Sequence, residues 1–232
     1  MKKRACFFLL LLSCMVFPIN MIFGQNIEWA QKIAPRNGYI SRIASDGQGN
    51  SFLCGAFIDT CVFGTTSIVS SGYGDGFLAK YNPTGAIQWV NKIDGSMSES
   101  VENVCTDRFG NIYIIGAYES TTNFNGTNIH GNGSYLAKYT TSGSLMWVHA
   151  LDTLHGAHAS EITVSDSGSV FIAGNIYSQA NFDCATLNKG TSETQFIALY
   201  DSNGCCQWAK TFITTYLVDI AVDKKTVFIL WH

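Results

Sequence analysis

Charged side chains make up only 13% of this 232-residue sequence, about half the ~25% of an ordinary globular chain, and proline occurs three times. So little charge excludes coiled coils, long solvated helices and charge-rich disordered tails. Beyond Lys2-Lys3-Arg4 no run of basic residues occurs and the formal net charge is -3, so the electrostatic footprint of a nucleic-acid binder is missing. No Gly-x-Ser-x-Gly elbow, phosphate-binding glycine loop, Cys-x-x-Cys pair or spaced His/Asp/Ser set is present. No catalytic residue and no cofactor is therefore assigned, and the chain reads as a non-enzyme. Glycine, by contrast, is frequent at 22 residues, as in turn-rich globular proteins.

The first segment reads as an address. Lys2, Lys3 and Arg4 precede an almost purely apolar stretch, Cys6 to Phe17, broken only by Ser13. That is the pattern of a secretory signal peptide over residues 1–25, with cleavage expected after Gly24 or Gln25. The run falls short of the ~20 residues of a spanning helix, and no other window approaches that length, so no membrane span is expected in the mature chain. A lipobox reading of Leu11-Leu12-Ser13-Cys14 would acylate Cys14, but Met15-Val16-Phe17 prolong the apolar core instead of opening a polar tether.

The remainder, 26–232, is one unit written several times. Trp29, Trp89, Trp147 and Trp208 are 60, 58 and 61 residues apart, and Asp46, Asp107, Asp166 and Asp223 recur at 61, 59 and 57. Behind the aspartates run Ser51-Phe52-Leu53-Cys54-Gly55, Ile112-Tyr113-Ile114-Ile115-Gly116, Val170-Phe171-Ile172-Ala173-Gly174 and Val227-Phe228-Ile229-Leu230. Phe63, Phe124 and Phe182 keep the same register, as do Phe77-Leu78-Ala79-Lys80-Tyr81, Tyr135-Leu136-Ala137-Lys138-Tyr139 and Phe196-Ile197-Ala198-Leu199-Tyr200. Runs of five to eight apolar or alternating residues, bounded by Gly, Asn, Asp, Ser and Thr, predict strands joined by hairpin turns. Asp46-Gly47-Gln48-Gly49-Asn50 and Asp107-Arg108-Phe109-Gly110-Asn111 are the clearest turns, whereas Asp166-Ser167-Gly168-Ser169 reads as one residue shorter.

Four-stranded sheets at a fixed period predict an all-β fold, a partial β-propeller of antiparallel blades. The repeats fall at about 39–93, 94–151 and 152–212, with a partial one over 213–232. The pattern resembles the bacterial seven-bladed β-propeller (SBBP) repeat family: Asp-x-x-Gly-Asn, an aromatic strand ending in Gly, an Asp-Ala-Phe-Val-Ala-Lys strand, then Gly and Trp. Asp75-Gly76-Phe77-Leu78-Ala79-Lys80-Tyr81 matches it closely, whereas Gly133 replaces the Asp of the second unit, and Thr194 and Leu199 depart from the pattern in the third. The resemblance implies a fold but little about function, since the family covers surface and secreted proteins of many roles. Three full repeats with partial blades at both ends are fewer than the ~4 blades that close a ring, so the chain is expected to be truncated at its C-terminus or completed by another chain.

Among the cysteines beyond the leader, Cys54, Cys105 and Cys206 take the places of apolar residues in other repeats and read as small core residues. Cys61 and Cys184 fall near loops and are free to pair; adjacent Cys205 and Cys206 are not expected to bond each other. The one cluster of metal-ligand types is His155, His158 and Glu161, read as a loop between repeats. On a loop that spacing imposes no geometry, so the three remain metal candidates beside the reading of a polar loop. The Asp-x-x-Gly-Asn segments read as turns rather than calcium loops, and the Trp series as inter-blade packing rather than a sugar platform. The resulting expectation is an exported, non-catalytic interaction, adhesion or structural scaffold, secreted or on a bacterial surface, with a protein or glycan ligand and with the remaining blades as partners. The alternative is part of a secreted propeller enzyme acting on carbohydrate or peptide.

Overall fold

The computed structural model describes residues 30, 33–151, 156–190, 194–213, 217–223 and 226–231. The expected signal peptide, Trp29 and His155 lie outside the described residues. The first blade holds β1 (Ile33–Ser45), β2 (Ser51–Phe63), β3 (Thr66–Val69), β4 (Asp75–Tyr81) and β5 (Ile87–Gly95). The second holds β6 (Ser100–Thr106), β7 (Ile112–Phe124), β8 (Thr127–Tyr139) and β9 (Leu145–Ala150). The third holds β10 (Ala157–Val164), β11 (Val170–Ile176), β12 (Ala180–Phe182), β13 (Ala185–Leu187), β14 (Thr194–Tyr200) and β15 (Cys206–Ile213), and a hairpin of β16 (Leu217–Asp223) and β17 (Thr226–Trp231) follows. The chain is all-β and propeller-like: β1-β2-β4-β5, β6-β7-β8-β9 and β10-β11-β14-β15 are antiparallel and pair in chain order. Among the described residues no helix is long and apolar enough to cross a membrane.

Several strands run to 13 residues, longer than the apolar runs alone predict. The extra length is a minor hairpin at the far end of each second strand, around the repeated phenylalanines. Phe63, Phe124 and Phe182 are buried there against Phe77, Tyr135 and Phe196, with ring centroids 5.1, 4.7 and 4.8 Å apart. Burial of such a ring is worth about 1.5–3 kcal/mol, which explains the fixed register. Through Ile93↔Phe124, Asp94↔Asn123 and Gly95↔Thr122 the last strand of the first blade also pairs with this extension of the second, joining the two sheets.

The hairpin turns share one chemistry. Asp46 Oδ1 accepts the amides of Gln48 and Asn50 at 2.9 Å, and Asp107 Oδ1 accepts those of Phe109 and Asn111 at 2.9 Å, with Gly49 and Gly110 at φ 81° and 80°. The third turn corrects the expected register. Ser165, not Asp166, holds the aspartate's place: its Oγ accepts the amide of Ser169 at 3.0 Å, Gly168 takes φ 82°, and the turn is as long as the others. A serine hydroxyl makes the same amide contact as a carboxylate, so the repeat continues with a different residue type.

Between blades the apolar faces interlock. Phe52, Cys54 and Leu78 pack on Ile112, Ile114 and Ala137; Tyr113, Ile115 and Leu136 pack on Val170, Ile172 and Ala198; Ala173 and Ile197 pack on Ile220. The Trp series serves this packing. Trp89 lies against Phe52 and donates its indole N–H to the Thr141 carbonyl of the next blade at 3.3 Å, and Trp147 lies against Tyr113 and reaches Ser202 O at 3.3 Å. Lys80 and Lys138, the lysines of the repeated strand, donate to the same two carbonyls at 3.0 and 3.1 Å.

Candidate functional site

Each first strand carries a β-bulge at the same place, between Ile40 and Arg42, Val101 and Asn103, Ala159 and Glu161, and Leu217 and Asp219. Opposite it in the three full blades sit Gly55, Gly116 and Gly174, where a Cβ would overlap the carbonyls of Tyr39, Ser100 and His158. This is the physical reason for the glycine that ends each repeated aromatic strand.

Just after the bulges, Arg42, Asn103, Glu161 and Asp219 occupy equivalent positions on neighbouring first strands and form a polar arc. Glu161 is buried. Its Oε1 lies 3.4 Å from Arg42 Nη2, and its Oε2 accepts Asn103 Nδ2 at 2.9 Å. Burial, with the charge of Asp219 adding to it, pushes the Glu161 carboxyl up to about 7, against the opposing pull of Arg42 and Asn103. Arg42, Asn103 and Glu161 bind one another and fasten the three blades.

The arrangement also places two of the metal candidates, and corrects the expected loop. His158 and Glu161 lie on strand β10, not on a loop, and the structure brings Glu161 to Arg42 and Asn103 rather than to His158, while His155 lies outside the described residues. Among the described residues no group of three His, Cys, Asp or Glu side chains is placed to hold a metal. The cysteines also depart from expectation: Cys206 is not a free core residue but forms a disulfide with Cys184. Cys184 stands in the tip of the third minor hairpin, between β12 and β13, and that tip lies against the start of the blade's last strand; in the first blade Gly64 faces Ile87 in the same way. Cys61, read as near a loop, is fully buried.

Among the described residues a cavity of about 580 Å³ lies between the first two blades. Tyr39, Phe57, Ile58, Tyr73 and the two glutamates Glu99 and Glu119 contribute to its lining. Tyr39 and Tyr73 are 51% and 73% exposed, so both rings are available to a ligand. The backbone at Tyr73 is hydrogen-bonded to the facing segment: its amide and that of Gly74 donate to Met97 O at 3.1 and 3.3 Å, and Glu99 N donates back to Gly74 O at 2.9 Å. Beside it Ser71 N donates to Asp75 Oδ2 at 2.8 Å.

Behind this wall lies an acidic group. Glu99 is buried; its Oε1 accepts the Thr122 hydroxyl at 3.1 Å, and the Glu119 amide also faces the carboxyl. Burial first, then the charges of Asp75 and Asp94, push its carboxyl up to about 7. Asp75 is also raised by burial, although Lys92 Nζ lies 3.4 Å from it and 3.0 Å from Asp94. Sequence reasoning missed this site because it searched for agreement between repeats. The cavity is built where they differ: Tyr39 is the counterpart of Ser100 and His158, all three paired at the same step before the bulge.

No protein-family profile matches the chain. It is similar to an uncharacterised WD repeat-containing protein of Acanthamoeba polyphaga mimivirus, 24% identical over 138 residues, which is 55% of this chain and 10% of that protein. It is also similar to the regulatory protein FlaEY of Caulobacter vibrioides, 28% identical over 197 residues, 80% of this chain and 20% of that protein. The chain thus spans a fifth or less of the curated relatives it matches. The WD-repeat likeness agrees with the propeller-like repeat fold.

Proposed function

We propose that this chain is an exported, non-catalytic β-propeller module of the bacterial seven-bladed (SBBP) repeat type, working as an interaction or adhesion scaffold with a protein or glycan ligand. The observation that carries the reading is the cavity between the first two blades, where Tyr39, which departs from its counterparts Ser100 and His158, and Tyr73 are exposed. The basic-then-apolar leader supports export to the outside of a bacterial cell. Likeness to a WD repeat-containing protein supports an interaction role by analogy of fold alone. Exposed Phe228 and Leu230 on β17 support a further blade, of this or another chain, as a packing partner there.

The test is display of the full chain on peptide and glycan arrays beside its Tyr73→Ala variant. Signals lost in the variant support the reading; signals indifferent to it, or none, count against the cavity as the ligand site. One observation favours the enzymatic alternative: Glu99, a buried carboxyl near neutrality, shares a cavity with Glu119. Turnover of chromogenic glycosides or peptides that disappears in Glu99→Gln would establish that alternative instead. Export is tested by N-terminal sequencing of the mature protein, with a start at residue 25 or 26 expected from the leader.

A further inference from the structure

We infer that the cavity between the first two blades takes an alkylammonium group, the chemistry of a lysine side chain. The inference rests on reading this cavity as the ligand site and names what the site recognises. Tyr39 and Tyr73 stand exposed in its lining, and the face of such a ring attracts a cation through its quadrupole. Phe57 and Ile58 supply apolar surface for an alkyl stem. Glu99 and Glu119 also line the cavity, and among the described side chains no lysine, arginine or histidine does.

The wider surroundings keep that sign. Asp75, Asp94 and Glu99 interact with one another, and the ammonium among them is Lys92, already paired with both aspartates. A neutral sugar gains no net charge attraction from this field, whereas an ammonium group gains from rings and carboxylates together. The groups acting on Glu99 are Asp75 of β4, Asp94 of β5, Thr122 with the Glu119 amide of β7, and Tyr135 of β8, while Lys92 of β5 reaches the two aspartates. Against that background an arriving cation favours the ionised carboxylate, so binding tightens as pH rises through about 7 and releases a proton.

The experiment is amide NMR on the full chain, following Gly38, Gly74 and Ala117, which line the cavity. The probes are n-butylammonium, Nα-acetyl-lysine N-methylamide, uncharged n-butanol, acetate and methyl glucoside. Both ammonium probes should move these amides, with n-butanol weaker by roughly two- to thirtyfold and Tyr73→Ala losing a similar factor. In Glu99→Gln the pH dependence should vanish, while a thermal melt confirms that the variant is folded. Equal affinity for butanol and butylammonium, shifts indifferent to Tyr73→Ala, or no shift at these amides overturns the inference. A response to glucoside alone also overturns it while leaving the cavity as a ligand site; the array comparison with Tyr73→Ala decides that broader reading separately.

Discussion

Arg42 and Glu161, 119 residues apart and on first strands separated by a whole blade, meet at 3.4 Å. Asn103, on the strand between them, completes the contact, so one carboxylate ties three blades together. The Arg42 side chain is half exposed, and on its own such a pair contributes little. Glu161 is buried, however, and removal of its guanidinium partner leaves a desolvated charge.

Arg42→Ala is therefore expected to destabilise the fold by about 1–3 kcal/mol at about pH 8, and much less at about pH 5.5. The folded Glu161 carboxyl titrates at about 7, above its ordinary 4.5, so between those values the folded state holds a proton that the unfolded chain has released. Stability from this group falls as pH rises through that window, and loss of Arg42 steepens the fall. Urea midpoints of the two proteins at both pH values check it; an equal penalty at each pH would show that Glu161 is not the mediator.

Glu99 follows the same linkage by a different route, because its carboxyl is raised by burial and by acidic neighbours and has no arginine among the described groups acting on it. Glu99→Gln should flatten the fall in stability between about pH 5 and pH 7.5 and raise stability at the upper end. The Thr122 hydroxyl can still donate to the amide oxygen, so the fold is retained. A melting temperature that declines as steeply with pH as in the parent protein would remove Glu99 from this role.

The bulge geometry makes glycine at position 116 a requirement. A Cβ there would overlap the Ser100 carbonyl, which also accepts the Tyr135 hydroxyl at 2.8 Å, whereas a Cβ on Gly47 meets nothing within 4 Å. Gly116→Ala should cost about 2–3 kcal/mol and Gly47→Ala under about 0.5 kcal/mol. Chemical denaturation of the pair is the measurement, and similar losses at both positions would contradict the steric account.

Particular residues show why some of this was legible and some was not. Phe63, Phe124 and Phe182 do one job in every blade, so selection by packing leaves one residue type at one spacing. The third turn escaped because Ser165 performs the aspartate's hydrogen bonding, and a search for Asp settles one residue late, on Asp166. The polar arc escaped for the opposite reason: Arg42, Asn103, Glu161 and Asp219 are equivalent in place and unlike in chemistry, and their pairing needs three blades side by side. The cavity draws on Tyr39, Tyr73 and Glu99 from three separate segments, which only the tertiary fold brings together.

The cysteines divide by environment, and this sets their order of reaction. Burial raises the Cys54 thiol to about 12 and the Cys61 thiol to about 11, and pushes Cys105 higher still, whereas Cys205 is exposed. Under native conditions an alkylating reagent should modify Cys205 well before Cys54, Cys61 or Cys105, as read by peptide mass spectrometry. Reduction should open the bond between Cys184 and Cys206, which closes a loop of 22 residues, and lower stability by about 3 kcal/mol. That loss should be reproduced by Cys184→Ser and should not grow further when the variant is treated with reductant. Labelling of Cys206 in the untreated protein would show that the third minor hairpin is not tied to its blade, and the assignment of this disulfide would then fail.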